Sequence, residues 1–325
     1  MVSGRQGEKR PRRTWLAGAV VVVLAAIAVS GWCFGFPGRS SAEHARPAGA
    51  RFLAIAAAQP TAVLARPRPG ASMGTRRFDC GRNAEGVRNS DNLITRPGVA
   101  GGAHHLHDYV GNMASNAFAT EQSLTIAPTT CQDNDRSSYY WPVLRVPGDH
   151  GHQDPEAVLT PSSVLVQYRG NLTTAVVAMP PFLRIVVGNP QAYTQPGKTI
   201  ASANWTCSGS RERTTTLYPR CPAGQQVVRV FDFPSCWNGT AVDSANHRAH
   251  VVYPMATGAC PANTLAVPQL HLEVAYDIPV DANYVIDTFR EEQGSSSSDH
   301  ADFINVMPDA LMAEVVRCLN EGLNC

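Results

Sequence analysis

Eight cysteines, Cys80, Cys131, Cys207, Cys221, Cys236, Cys260, Cys318 and Cys325, are spread over the C-terminal three quarters of the chain, and none forms a CxxC pair. Zinc-binding modules usually bring cysteines together in such close pairs, whereas an even set of dispersed cysteines reads as a disulfide framework in an oxidising compartment. Eight cysteines allow many connectivities, and pairing neighbours in chain order predicts Cys80 with Cys131, Cys207 with Cys221, Cys236 with Cys260 and Cys318 with Cys325. The chain has 325 residues and 44% hydrophobic content. That is enough for a real core, so these bridges reinforce a globular domain and do not substitute for one.

The ninth cysteine, Cys33, lies in the uncharged run Trp15 to Phe36, "WLAGAVVVVLAAIAVSGWCFGF". As a helix this run is about 33 Å long, enough to span a bilayer. Arg5, Lys9, Arg10, Arg12 and Arg13 precede it, which places residues 1–14 in the cytoplasm and the rest outside. The expected location is therefore the cell membrane, with a single pass and an extracellular C-terminal domain, or secretion if the segment is cleaved as a signal peptide. Residues 1–69 carry ten Lys+Arg against two Asp+Glu, and the remainder seventeen against twenty-four. The part expected to fold is thus net acidic, a poor surface for phosphate backbones, so no nucleic-acid partner is expected.

Residues 37–75 are rich in Ala, Pro, Arg and Gly and read as a linker, with "RFLAIAAAQPTAVLA" inside it as a short helix or a surface-lying segment. Residues 76–325 read as the extracellular domain, folded from about Phe78. Short β-branched segments recur there between Pro and Gly signals: "SSVLVQYRG", "TTAVVAM", "LRIVVG", "QQVVRVFDF", "AHVVYP" and "QLHLEVAYDI". These predict strands. Leu311, Met312, Val315, Val316 and Leu319 keep helical spacing after Pro308, predicting an amphipathic helix over 308–320 that packs on a sheet. "SSSS" at 295–298 reads as a flexible loop. The expected fold class is mainly β, β-sandwich-like with an α+β margin, stabilised by disulfides.

Three of the ten histidines fall within "HHLHD". In an extended strand, residues two apart share a face, so His105 and His107 can aim at one point, as can His300 and Asp302 in "HADF". In "DSANHRAH" a helical turn would bring His247 and His250 together, beside Asp243. Imidazole and carboxylate are ligands for zinc and similar divalent ions, which gives His105, His107, His247, His250, His300 and Asp302 as metal candidates. Asp108 and Asp243 are then the carboxylates that orient imidazoles. Metal-free acid/base catalysis by the same groups is the alternative. A two-carboxylate glycosidase drawn from Asp232, Asp243, Glu273 and Asp302 is another. HExxH, GxSxG, P-loop and dinucleotide motifs are missing from the sequence. Tyr139, Tyr140, Trp141, Trp205, Trp237 and Tyr253 offer sugar-stacking rings, against which stands their packing in the core beside cysteines.

The segments "GAHHLHDYVGN", "SYYWPVL", "FPSCWNGTAVDSANHRAHVVYP", "CPANTLAVPQLHLEVAY" and "HADFINVMPDALMAEVVRCLN" occur in this order. Together they resemble the secreted bacterial and fungal domain-of-unknown-function family numbered nineteen ninety-six, here of actinobacterial type, over about Phe78 to Cys325. The resemblance places an HxHD motif on His105, His107 and Asp108, a DxxxHxxH motif on Asp243, His247 and His250, and an HxDF motif on His300, Asp302 and Phe303. It leaves His104 and His271 outside the site, and this chain departs from the usual pattern at Val306 and Met307. It implies export and a shared pocket but assigns no activity. The expectation is a hydrolase or lyase acting on extracellular or cell-wall polysaccharide, or else a non-catalytic carbohydrate- or wall-binding protein whose His/Asp cluster is structural.

Overall fold

The computed structural model describes residues 49–62, 65–146, 157–196 and 203–325. The expected membrane segment, 15–36, lies outside the described residues. Among the described residues, no helix is long and apolar enough to cross a membrane.

Two five-stranded antiparallel sheets carry the domain. The first runs, edge to edge, Arg184–Gly188, His300–Ile304, Ser138–Pro142, His107–Gly111 and Arg88–Asn89. The second runs Asn204–Cys207, Val227–Asp232, Gln269–Tyr276, Ser163–Arg169 and Thr75–Phe78. Alternation along each strand sends one set of side chains into a common core: Tyr139, Trp141, Ile185, Val187 and Phe303 from the first sheet, and Val166, Tyr168, Phe231, Leu270, Leu272 and Tyr276 from the second. The Tyr139 and Tyr168 hydroxyls meet at 2.7 Å, and Trp141 donates to the Tyr276 hydroxyl at 3.3 Å. The opposite face of the first sheet presents Tyr109, Tyr140, Val186 and Ile304 to a second, smaller cluster closed by Leu93, Ile94 and Leu124.

The expectation of a mainly β chain with a C-terminal helix holds. All four disulfides pair as chain order predicted, closing sequence separations of 51, 14, 24 and 7 residues. The helix spans Asp309–Asn320, with Pro308 at its N-cap instead of in its first turn. Three local expectations are overturned. "TTAVVAM" is irregular; Val176 and Met179 still enter the core without joining a ladder. Part of the expected linker is built into the domain, because Phe52–Ala54 pairs in parallel with Tyr218–Arg220 and Gln59 and Pro60 pair with Thr214 and Arg213. The serine run is buried: Ser296–Ser298 is a 3-10 turn whose hydroxyls reach the Thr216 carbonyl and the Glu292 carboxylate. Four small polar residues look like a loop in sequence, but here each hydroxyl has a hydrogen-bond partner. The aromatic residues considered for stacking on sugars are core residues in the main, with Tyr139, Tyr140, Trp141 and Trp205 fully buried.

Arg229 projects from the second sheet into the core, fully buried, and its guanidinium forms two bonds to Asp299, one to the Pro142 carbonyl at 2.6 Å and one to the Tyr276 hydroxyl at 3.4 Å. Burial alone disfavours its charge, but Asp299 and Tyr276 more than offset this and hold its proton more tightly than water would. Arg229→Leu strands the Asp299 carboxylate in the core, and the expected loss is about 3–5 kcal/mol. Urea unfolding of the variant against the parent measures it.

On the outer face of the second sheet, His271 sits between Asp232 (2.7 Å) and Glu273 (3.1 Å), with Arg211 on Glu273, Arg169 on Asp232 and Gln167 opposite it on the neighbouring strand. Burial lowers its affinity for a proton, but the two carboxylates outweigh this and raise its pKa above 6.5. Glu273, which burial alone would raise, is brought down to about 2 by His271 and Arg211. A raised histidine contributes stability that is complete below 6.5 and disappears as pH rises through its folded value; the depressed Glu273 contributes above 4.5 and loses it toward 2. The stability deficit of His271→Asn is therefore expected to be larger at pH 5.5 than at pH 9, as read from paired denaturation curves.

Candidate functional site

The central strand of the first sheet, Ser138–Pro142, has His107–Gly111 on one side and His300–Ile304 on the other. His107 pairs with Pro142, and Asp302 pairs with Tyr140, which puts His300 level with Pro142 as well. Two histidines two strand spacings apart, about 10 Å between backbones, project from the same face. Imidazole length closes most of that gap, and His105, two residues before its strand, supplies the third ring between them. The His105 Nε2 lies 3.0 Å from His107 Nε2 and 3.1 Å from His300 Nε2. All three rings are buried.

Backbone carbonyls fix two of the tautomers. A carbonyl oxygen only accepts, so His107 Nδ1 donates to the Asp91 carbonyl at 2.9 Å and His300 Nδ1 donates to the Ser298 carbonyl at 3.0 Å. The Nε2 atoms of both rings therefore carry lone pairs toward each other and toward His105, whose own Nδ1 is buried without a hydrogen-bond partner. Protonation is strongly opposed. Burial, with the neighbouring imidazoles, holds His107 and His300 well below 6.5, and burial lowers His105 to about 4 although Asp287 pulls it back upward.

Three neutral nitrogens from three rings are the donor set of an open zinc site. Tetrahedral ligands 2.0–2.1 Å from zinc lie ~3.3 Å apart, and the observed 3.0 and 3.1 Å fall within a few tenths of that. A second close group among the described residues, Cys80, Cys131 and Asp135, is not comparable because its sulfurs form a disulfide.

A cavity of about 160 Å³ opens beside the histidines, lined among others by His105, His300, Asp302, His247, Arg248 and Arg96. Asp302 lies on the same face as His300, fully buried, and neither carboxylate oxygen has a hydrogen-bond partner. Burial pushes it up to about 7, against the pull of the Arg248 charge. His247 has a left-handed backbone, φ 54°, and its Nδ1 is held by Asp243 at 2.9 Å. The carboxylate keeps the proton on Nδ1 and leaves Nε2 as the free nitrogen.

Two candidates are turned away. Asp108 follows His107 in a strand and therefore points to the opposite face, where Asn83 (2.7 Å) and Arg88 (2.6 Å) hold it. It orients no imidazole of the cluster. His250 donates from Nε2 to the Arg184 carbonyl at 2.6 Å and takes the Ser244 hydroxyl on Nδ1 at 3.0 Å, so both nitrogens are used in fastening this loop to the sheet. The helical spacing expected for His247 and His250 does not form; the segment is a series of turns. The proposed two-carboxylate set also separates, with Asp232 and Glu273 bonded to His271 on the second sheet and Asp302 on the first.

Sequence reasoning missed Arg96, Arg248 and Phe289, the last of which stands edge-on to His105 with ring centroids 5.2 Å apart. Arg248 sits inside the "HRAH" run and was legible as a neighbour of two candidates; Phe289 carried no signal.

A family model described as a domain of unknown function, DUF1996, matches residues 92–306. The chain belongs to this family. The DUF1996 segment includes all eight candidate residues together with Arg96, Arg248 and Phe289. Comparison with curated proteins and with solved structures gave no match.

The roles of the histidines are separable by stability. In chelator-treated protein, His250→Ala leaves the Arg184 carbonyl without its side-chain partner and takes one of its bonds from the Ser244 hydroxyl, with an expected cost of about 1–3 kcal/mol. His105→Ala removes a ring held against two lone pairs and is expected to cost less than His250→Ala, as measured by urea unfolding of both variants.

Proposed function

We propose that this protein is an exported DUF1996 hydrolase or lyase that binds one divalent ion, such as zinc, through His105, His107 and His300 and cleaves extracellular or cell-wall carbohydrate. The observation that carries the reading is the meeting of three buried Nε2 atoms, two of which are obliged by carbonyl partners to present lone pairs. An ion held there supplies Lewis-acid polarisation of a substrate oxygen. The chain's own groups supply the rest. His247, oriented by Asp243, moves a proton at Nε2 on the cavity wall. Asp302 offers a second proton site at the cavity floor, where burial favours its neutral form. Export, by anchor or by cleavage, rests on the basic and apolar start of the chain and on the four disulfides.

Elemental mass spectrometry on the purified full chain tests the ion. One equivalent is expected in the parent and in His250→Ala, and none in His105→Ala or His300→Ala. On a polysaccharide panel, chelation is expected to abolish turnover and zinc to restore it, with His247→Ala lowering kcat by about 10²–10⁴. A parent that takes up no zinc, manganese, calcium or copper rules out the ion. A bound ion whose removal unfolds the protein, with no turnover on any polymer, makes the cluster structural and the protein a binding module.

A further inference from the structure

The cavity beside the histidines has cationic walls and almost no acid. Arg96 is exposed at its edge, and its guanidinium has no hydrogen-bond or ion-pair partner among the described residues. Arg248 is half-buried and spends two of its five donors on the Val186 carbonyl at 3.1 Å and the Gly188 carbonyl. Among the described residues, no carboxylate pairs with it within 4 Å. The acid lining the cavity is Asp302, on its floor. A partly buried guanidinium fixed by carbonyls, with donors to spare and no carboxylate on it, is suited to bidentate recognition of an oxyanion.

The walls offer little to a neutral sugar. Tyr139, Tyr140, Trp141 and Trp205 are in the core, and among the described residues the one Phe, Tyr or Trp ring lining the cavity is Phe289, which packs T-shaped on His105. The cavity is small, about 160 Å³, and the groups that line it suit a charged group better than a neutral ring.

We propose that Arg96 and Arg248 seat an oxyanion carried by the substrate, the carboxylate of a uronic acid or the phosphate of a sugar phosphate, next to the three histidines. This rests on the reading of the same site as a carbohydrate-cleaving centre and narrows its substrate to anionic saccharides.

Calorimetric titration of the zinc-loaded full chain with glucuronate, glucose 6-phosphate and glucose tests it, with zinc content measured on the same samples. At least one charged sugar is expected to bind tenfold or more tightly than glucose, and which of the two does so identifies the source of the oxyanion. Arg96→Gln, an exposed change that leaves the fold alone, is expected to lower that affinity tenfold or more, and Arg96→Lys to recover part of it. Arg248→Gln is expected to lose more, with zinc retained. Equal affinity for all three sugars, or charged-sugar binding untouched by both glutamine variants, overturns the proposal even where zinc and turnover are intact. If zinc does not bind, arginine-dependent binding of a charged sugar to the metal-free protein still upholds it.

Discussion

Arg229 is a buried charge that ties the two sheets together. It leaves the second sheet, crosses the core and grips the Pro142 carbonyl of the central strand and the Asp299 side chain of the first sheet. His107 and His300 flank that strand at the level of Pro142. Asp299 in turn accepts the backbone N–H of His300 at 2.9 Å. Gly188, across the ladder from His300, has φ +79°, and a Cβ there would lie 2.1 Å from the Asp299 carbonyl oxygen, so only glycine permits this approach. A buried ion pair is costly to desolvate and weak as a source of net stability. Its effect here is positional, because it sets the height at which two strands start their histidines.

The cluster works against folding energetics. An unpartnered His105 Nδ1 and an Asp302 carboxylate with neither oxygen bonded are both buried, and each costs free energy. His107 and His300, like His250 and His271, have a partner on each nitrogen, whereas His105 has none on Nδ1. The unsatisfied His105 nitrogen and Asp302 oxygens lie beside one cavity, which supports the proposed site.

Strand parity sorts the motif residues. His107, His300 and Asp302 occupy the face turned from the core, and their immediate neighbours Asp108, Ala301 and Phe303 occupy the other. Asp108 thus serves the packing side through Asn83 and Arg88, although in sequence it is the residue most closely tied to the histidines.

Much of this was readable from residue order alone. Disulfides joined neighbours in chain order, the last helix followed its apolar spacing, and His300 with Asp302 shared a face because extended chains repeat every two residues, whereas His105 reaches His107 from a bend before the strand. These are local regularities, set by backbone geometry and chain connectivity. The tertiary structure decided the rest. It brought His105 and His107 to His300 across 195 and 193 intervening steps of chain, turned Asp108 and His250 to other partners, drew Phe52–Ala54 into the domain and put Arg96 and Arg248 on one cavity. Such outcomes depend on which strands become neighbours and which carbonyls stand opposite each ring, and those long-range pairings leave no periodic trace in the sequence.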